Sequence, residues 1–239
     1  MKLITFVAIT LFSGLLSGII LAVVNLVLVE PYIDQAIAFE NQKSATPSEM
    51  TEQLEFQTYR VWQQGGSLAA GAVLGMSYGA LFGLVFVYTR NSLLGSTNLQ
   101  KALLLATIMW FVLYLVVELK YPANPPAVSD PSTISLRQSL WLAMVAVSGL
   151  TALGLAVTRR WMKGNAKFAA LAIYAAIVII MFLVLPQNPD HSAIPTDLIM
   201  GFRIASCVTM TMFWLIMGAI LGLLWDSTVP HKITKLKII

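Results

Sequence analysis

The sequence predicts an all-α integral membrane protein with six transmembrane helices in three outward-facing hairpins and both termini inside. Three observations carry this prediction. The 239-residue chain is 58% hydrophobic and only 11% charged, whereas a soluble domain carries roughly 25% charged residues. Apolar runs of about 20 residues, the length that crosses a bilayer as a helix, recur along the whole chain. Basic residues are concentrated in alternate loops, which is typical of a membrane protein with a fixed orientation.

The apolar runs define six spans within a single membrane domain, residues 1–239. They are residues 3–29, 67–88, 99–117, 140–157, 168–185 and 204–225. The first run follows Lys2, as in a secretory signal peptide. It is far longer than the roughly 7–15 apolar residues of a signal sequence, and no small-residue cleavage site follows it. We therefore interpret it as a span.

The loop charges predict the orientation. Ten of the 15 basic residues, but only one of the 11 acids, Asp226, lie in the N-terminus, the second and fourth loops and the C-terminal tail. The ten are Lys2, Arg90, Lys101, Arg159, Arg160, Lys163, Lys167, Lys232, Lys235 and Lys237. Because positive loops stay in the cytoplasm, we expect a multi-pass protein of the cell membrane with cytoplasmic termini. The excess of basic residues then reflects the orientation of the chain in the membrane. We expect the protein to contact lipid, not nucleic acid.

The first outer loop, residues 30–66, is the only long one. Within it, Thr46 and Glu49 form a capping box, and Pro47 occupies the first helical position. We expect a short helix over about residues 47–63 that lies at the outer membrane interface and stops at Gly65-Gly66.

Glycines recur every four residues in three of the spans. They are Gly14 and Gly18 in the first span, Gly71, Gly75, Gly79 and Gly83 in the second, and Gly218 and Gly222 in the sixth. On a helix this spacing gives one smooth face that another backbone can approach closely. We expect these faces to serve helix packing. A permeation path or the docking of a partner's helices along the same faces are the alternatives.

The sequence contains no motif of a soluble enzyme. Walker A, GxGxxG, HExxH and GxSxG patterns are all missing, and the single cysteine, Cys207, lies in an apolar run where we expect a spectator thiol. The prediction is therefore a protein that is not an enzyme and has no permanently bound cofactor.

Acidic residues and one histidine of the predicted outer loops could bind a metal ion. The candidate ligands are Glu30, Glu118, Asp130 and His191. Carboxylates with one imidazole suit a hard or borderline divalent ion whose shell is completed by water. The simpler interpretation is a solvated acidic surface that attracts cations from solution.

Basic residues lie beside these acids at the span ends. They are Arg60, Lys120, Arg137 and Arg203. We expect the arginines to pair with the acids and close an outer vestibule rather than to contact a cation.

The proline segment, residues 120–131 (KYPANPPAVSDP), separates the third and fourth spans. Its rigid and polar members are Pro122, Asn124, Pro125, Pro126 and Pro131. Each proline fixes its own φ and disfavours helix in the preceding residue, so the segment should end the third helix and remain extended. It would either brace the outer face or bind an ion, and bracing is the interpretation that the chemistry favours.

Several stretches together resemble the CbtA family of predicted cobalt transporter subunits. They are KYPANPPAVSDPSTISLRQSLWL at 120–142, LVEPYIDQAIAFE at 28–40, FQTYRVWQQGG at 56–66, the glycine-rich second span, and PTDLIMGFRIAS at 195–206. The resemblance implies a membrane subunit of a cobalt uptake system linked to cobalamin supply, with cobalt(II) as the transported ion. It also implies a small one-span, histidine-bearing partner, CbtB. A homo-oligomer is compatible with the sequence, and a structural or accessory subunit that docks partner helices is the alternative function.

Overall fold

The described part of the chain is helical. The computed structural model describes residues 2–43, 50–126, 131–158, 166–188 and 194–228. Its α-helices are α1 (Leu3–Leu28), α2 (Glu30–Lys43), α3 (Met50–Thr89), α4 (Asn98–Trp110), α5 (Val116–Lys120), α6 (Ile134–Thr158), α7 (Ala166–Val184) and α8 (Thr196–Thr228). A π-helix, Phe111–Leu115, joins α4 to α5, and a 3₁₀ turn, Pro131–Thr133, precedes α6. No strand occurs in these ranges, so the all-helical part of the prediction is confirmed.

Five of the helical stretches are long and apolar enough to cross a membrane. They are Leu3–Leu28, Thr58–Thr89, Asn98–Lys120, Ile134–Thr158 and Thr196–Thr228. The predicted fifth span corresponds to a shorter apolar helix, Phe168–Val184, within the 19 residues of α7. A helix of that length extends about 28 Å, close to the roughly 30 Å of the hydrocarbon core. A multi-pass helical membrane protein is therefore supported, while the sixth crossing and the three hairpins stay predictions.

The first long loop differs from its prediction. The short helix expected to stop at Gly65-Gly66 does not stop there, because α3 continues without a break from Met50 to Thr89 over 40 residues. A glycine inside a helix costs only about 1 kcal/mol, and the apolar run that follows favours helix strongly enough to outweigh it. Residues 44–49, which include the predicted capping box, lie outside the described part.

Helix α2 occupies a stretch that the sequence analysis left as loop. It begins at Glu30, one residue after a turn at Val29, and places Pro31 in its first turn. Proline is tolerated there because the first N–H groups of a helix have no intrahelical acceptor. Glu30-Pro31 therefore starts a helix as well as ending a span.

The chain divides into two compact units, and the first contains Met1–Ala22, Gly66–Thr107 and Met212–Ile239. In this unit the glycine face of α3 packs against α1. A Cβ atom built on Gly75 would lie 2.2 Å from the carbonyl oxygen of Gly14, and one on Gly18 would lie 2.0 Å from the carbonyl oxygen of Gly71. Only glycine permits such a backbone approach, so the α3 glycines are committed to contact with α1.

Helix α8 packs against α4 in the same unit. A Cβ on Gly218 would lie 2.7 Å from Cβ of Ala106, and one on Gly222 would lie 2.6 Å from Cα of Leu99. At the end of α8, the Asp226 carboxylate accepts hydrogen bonds of 3.1 Å from the backbone N–H groups of Asn98 and Leu99. These N–H groups begin α4 and have no intrahelical acceptor, so Asp226 caps α4.

Aromatic side chains fill the remaining core of this first unit. Phe82, Phe86 and Trp214 are fully buried, and the Phe86 and Trp225 rings meet edge to face with centroids 5.1 Å apart. Such pairs contribute about 0.5–1.5 kcal/mol beyond the burial of their area.

The second unit contains Val23–Gly65 and Ile108–Thr211. Its core includes Val117 and Tyr121 at the end of the third span and Met144 of α6, all nearly inaccessible. Where the π-helix interrupts the span, the buried Ser148 hydroxyl lies 2.6 Å from the Val112 carbonyl oxygen and donates to it. The Tyr174 hydroxyl lies 2.8 Å from the same Ser148 oxygen, so Ser148 links the π-helix to α7.

We expect Gly75→Ala to destabilise the protein and Gly65→Ala to leave it unchanged or slightly more stable. The added methyl at position 75 meets the α1 backbone, and overpacking of this kind costs about 1–3 kcal/mol, whereas a Cβ at Gly65 meets nothing within 4 Å. Thermal unfolding of both variants in mild detergent measures the difference. Equal melting temperatures would contradict the close α1–α3 contact.

Candidate functional site

The proline segment ends the third span and turns away from it. Helix α5 stops at Lys120, and Tyr121 leaves helical geometry with φ −126° and ψ 73°. Residues 122–125 have no regular structure, as the prolines predict. Residues 127–130, which include Asp130, lie outside the described part.

One residue of this segment, Ala123, has both of its backbone polar groups bound by charged side chains. Its N–H donates to Oε1 of Glu118, and its carbonyl oxygen accepts from Nε of Arg203 at 3.2 Å. The same guanidinium donates through Nη2 to Oδ1 of Asn124 at 2.7 Å. Hydrogen bonds to ionised groups are roughly twice as strong as neutral ones, so Glu118 of α5 and Arg203 of α8 together fix the position of the segment.

Two further bonds attach the start of the segment to the end of α7. Lys120 Nζ donates to the carbonyl oxygen of Phe182 at 2.8 Å, and the Tyr121 hydroxyl donates to that of Pro186 at 2.7 Å. The Lys120 charge lies where the dipole of α7 is negative. Burial raises the pKa of the Tyr121 phenol above its ordinary value, so the hydroxyl keeps the proton that it donates.

A cavity of about 430 Å³ lies beside the segment. Its polar lining residues are Glu118, Tyr121, Asn124, Arg137, Gln138 and Asn188. Its apolar wall includes Leu140 and Trp141 of α6. We call it the Glu118 cavity, because Glu118 is its only carboxylate among these lining residues.

Arg60 anchors a second polar cluster in the same unit. Its Nη2 pairs with Oε1 of Glu30 and lies 2.6 Å from Oδ1 of Asp34, and Gln64 donates to the same Glu30 oxygen at 3.2 Å. Removing one partner of such a half-buried ion pair is costly, because the remaining charge stays desolvated and loses its counter-charge. Glu30 is thus engaged in tying α2 to α3.

The predicted metal ligands are distributed unevenly. Glu30 pairs with Arg60, and Glu118 accepts from Ala123 while lining the cavity. Asp130 and His191 fall outside the described ranges. Within those ranges, no group of three or more His, Cys, Asp or Glu side chains could hold a metal ion, so the four-ligand site stays a prediction.

The predicted basic partners behave differently from one another. Arg60 forms the expected ion pairs with acids, whereas Arg203 and Lys120 bind carbonyl oxygens. Arg137 lines the cavity and its Nε donates to the Thr133 hydroxyl at 3.1 Å. The residues around the segment are therefore joined largely through backbone oxygens rather than through acid–base pairs alone.

A family comparison decides what kind of protein carries these features. The model of the CbtA family, described as "probable cobalt transporter subunit (CbtA)", matches residues 3–226, nearly the whole chain. The chain belongs to the CbtA family. No curated protein and no solved structure matches it.

Two lining residues of this CbtA cavity were not foreseen. Gln138 and Asn188 are uncharged amides in hydrophilic stretches, and they resemble ordinary interfacial residues in the sequence. The one available signal is position: Gln138 follows Arg137 just before the fourth span, and Asn188 follows Pro186 just after the fifth. Their contribution to one cavity depends on the fold.

A double-mutant cycle should reveal the contact between Arg203 and Asn124 in this CbtA protein. We expect Arg203→Ala and Asn124→Ala to be coupled by about 1.5–3 kcal/mol, the value for hydrogen bonds to charged groups. Free energies of unfolding from denaturing-detergent titration measure it. Ser139→Ala serves as the control partner for Arg203→Ala, because the Ser139 hydroxyl bonds Ser135 of its own helix. Coupling as small as in the control pair would show that the contact is not formed.

Proposed function

We propose that the protein is the membrane subunit through which Co²⁺, or a closely similar divalent ion, enters the cell in support of cobalamin supply. It would cross the membrane six times, with both termini in the cytoplasm. Cobalt is cargo in this proposal and not a resident cofactor. The observation that carries it is the CbtA match over residues 3–226, together with helices apolar enough to span a bilayer.

The charge distribution supports inward movement of a cation. Of the 15 basic residues, ten lie in the loops predicted to be cytoplasmic, and ten of the 11 acids lie in the loops predicted to face outward. An acidic outer surface raises the local concentration of cations. Glu118 would then receive ions at the Glu118 cavity, next to the proline segment.

Bracing and ion binding are compatible roles for the proline segment. Its backbone is held by Glu118 and Arg203, which supports bracing. The cavity that it borders contains a carboxylate, which supports a role in receiving the ion. Asp130 and His191 stay candidate ligands.

The alternative, an accessory subunit that docks partner helices through its glycine faces, has less support. The α3 glycines are covered by α1, and Gly218 and Gly222 are covered by α4. A partner helix on these faces would need to displace the chain's own helices. A CbtB-like partner would therefore use another surface.

Uptake of radioactive cobalt by cells that express the chain tests the function. We expect wild-type uptake above the empty vector, and reductions of about tenfold for Glu118→Gln, which removes the charge that attracts the ion. His191→Ala tests the second predicted ligand, and Ser139→Ala at matched membrane levels is the control. Uptake at the vector level, both alone and with a one-span histidine-bearing partner, would contradict the proposal. Uptake that requires the partner would keep the proposal and show that this chain acts together with a second subunit.

Cysteine labelling tests the orientation. In a Cys207→Ser background, which removes the only native cysteine, we expect a membrane-impermeant maleimide to label Ser135→Cys on intact cells. Ser92→Cys should react only after the cells are permeabilised, because Arg90 and Lys101 predict that its loop is cytoplasmic. Both serines are exposed, so access is not limited by burial. The opposite labelling pattern would reverse the proposed topology.

A further inference from the structure

A single π-turn interrupts the third span between α4 and α5. It consists of Phe111–Leu115, and the Val116 N–H donates to the carbonyl oxygen of Phe111. In an α-helix the same N–H would donate to Val112, four residues back. The π-turn therefore removes the donor that an α-helix would give to the Val112 carbonyl oxygen. Such π-turns are rare and lie frequently at functional sites.

Two hydroxyl groups in series compensate for the missing donor. Val112 and Ser148 are buried, and the Ser148 hydroxyl donates to the Val112 oxygen at 2.6 Å. Because a serine hydroxyl has one proton, the Tyr174 hydroxyl is the donor in its 2.8 Å contact with Ser148. Val112 and Ser148 lie in stretches apolar enough to span a membrane, and hydrocarbon offers no water as a substitute partner. The π-turn therefore depends on this pair of side chains.

The π-turn determines which way α5 faces. An α-helix turns about 100° per residue, and an i→i+5 bond encloses one residue more than an i→i+4 bond. If the same residues formed a continuous α-helix, α5 would be turned by about 100° about its axis. Val117 is 1% exposed and Leu119 is 67% exposed, so α5 has an inner and an outer face that this rotation would misplace. The bond from the Ala123 N–H to Glu118 would be lost as well.

We propose that Ser148 and Tyr174 are positioning residues that keep the third span in its π register and thereby direct Glu118 toward the proline segment. Neither is among the described residues that line the Glu118 cavity, so both act on it through the backbone of the third span. Removal of the Ser148 hydroxyl leaves a buried carbonyl oxygen without a donor, which is the costly case for a hydrogen bond. The consequence for ion uptake rests on the proposed function, whereas the register does not.

Deletion of one residue tests the register. Without Phe111, which is 43% exposed, the span can continue as an α-helix while α4 and α5 keep their present faces. We therefore expect this deletion to fold. Deletion of Leu142, which is 58% exposed in the uninterrupted helix α6, meets no π-turn that could absorb it and should prevent folding. Membrane level and monodisperse elution in mild detergent measure both. A Phe111 deletion that behaves no better than the Leu142 deletion would overturn the proposal.

Ser148→Ala should be harmful only while the π-turn is present. In the full-length chain we expect it to lower the melting temperature by about 5 °C. In the chain without Phe111, helical N–H groups can satisfy every carbonyl of the span, so the change should shrink to about 1 °C or less. Tyr174→Phe should show the same pattern with a smaller shift, and Ser139→Ala should have no effect in either chain. An equal loss from Ser148→Ala in both chains would indicate packing alone and contradict the role in register.

Coupling to Glu118 separates positioning from a purely structural role, and this experiment needs no deletion. At matched membrane levels, we expect Ser148→Ala to lower cobalt uptake by a few fold in the wild-type chain. It should have no further effect in Glu118→Gln, where the group that it positions is already changed. The same fold reduction in both chains would overturn the positioning role.

The register and the transport function can fail separately. If the chain takes up no cobalt, alone or with a partner, the proposed function is wrong, and the deletion and melting experiments still decide the register. Uptake that depends on Glu118, with an independent and additive effect of Ser148→Ala, keeps the proposed function and overturns the positioning role.

Discussion

The second unit depends on how Ala123 is held. Ala123 lies between prolines that neither donate a backbone hydrogen bond nor continue a helix, so its N–H and carbonyl oxygen cannot be satisfied by regular structure. Glu118 accepts from the N–H and Arg203 donates to the carbonyl. Backbone groups near the hydrocarbon region must find partners within the protein. The two charged side chains meet that requirement and, in doing so, fix the wall of the Glu118 cavity.

The first unit meets a different constraint with different chemistry. Lipid is as apolar as the helix surfaces, so helices associate through close packing and hydrogen bonds rather than through hydrophobic burial. Gly14, Gly18 and Gly75 let α1 and α3 approach until a single Cβ would clash with backbone. The two units therefore differ in the residues that stabilise them. Glycine faces pack the helices of the first unit, and charged residues beside prolines line a cavity in the second.

Much of this architecture follows from the sequence, and the failures have physical causes. Apolar runs predict the helices and Pro122 predicts the end of the third span, because both effects are local. Continuation of α3 through Gly65-Gly66 was missed because a helix tolerates a cost of about 1 kcal/mol per glycine when the following segment is strongly helical. The partners of Arg203 could not be foreseen, since a backbone carbonyl 80 residues away has no signature of its own. Gly14 and Gly18 were visible as a pair, but only the fold shows which helix they contact.

The Glu118 cavity has charges of both signs, because Arg137 and Glu118 both contribute to its lining. A site with several carboxylates and a histidine would bind a divalent ion tightly and release it slowly, which suits capture but opposes passage. Among the described lining residues Glu118 is the one carboxylate, its Oε1 already accepts from the Ala123 N–H, and Arg137 adds a positive charge to the same lining. Tight capture would then have to be supplied elsewhere, by residues of the chain such as His191 or by a histidine-bearing partner.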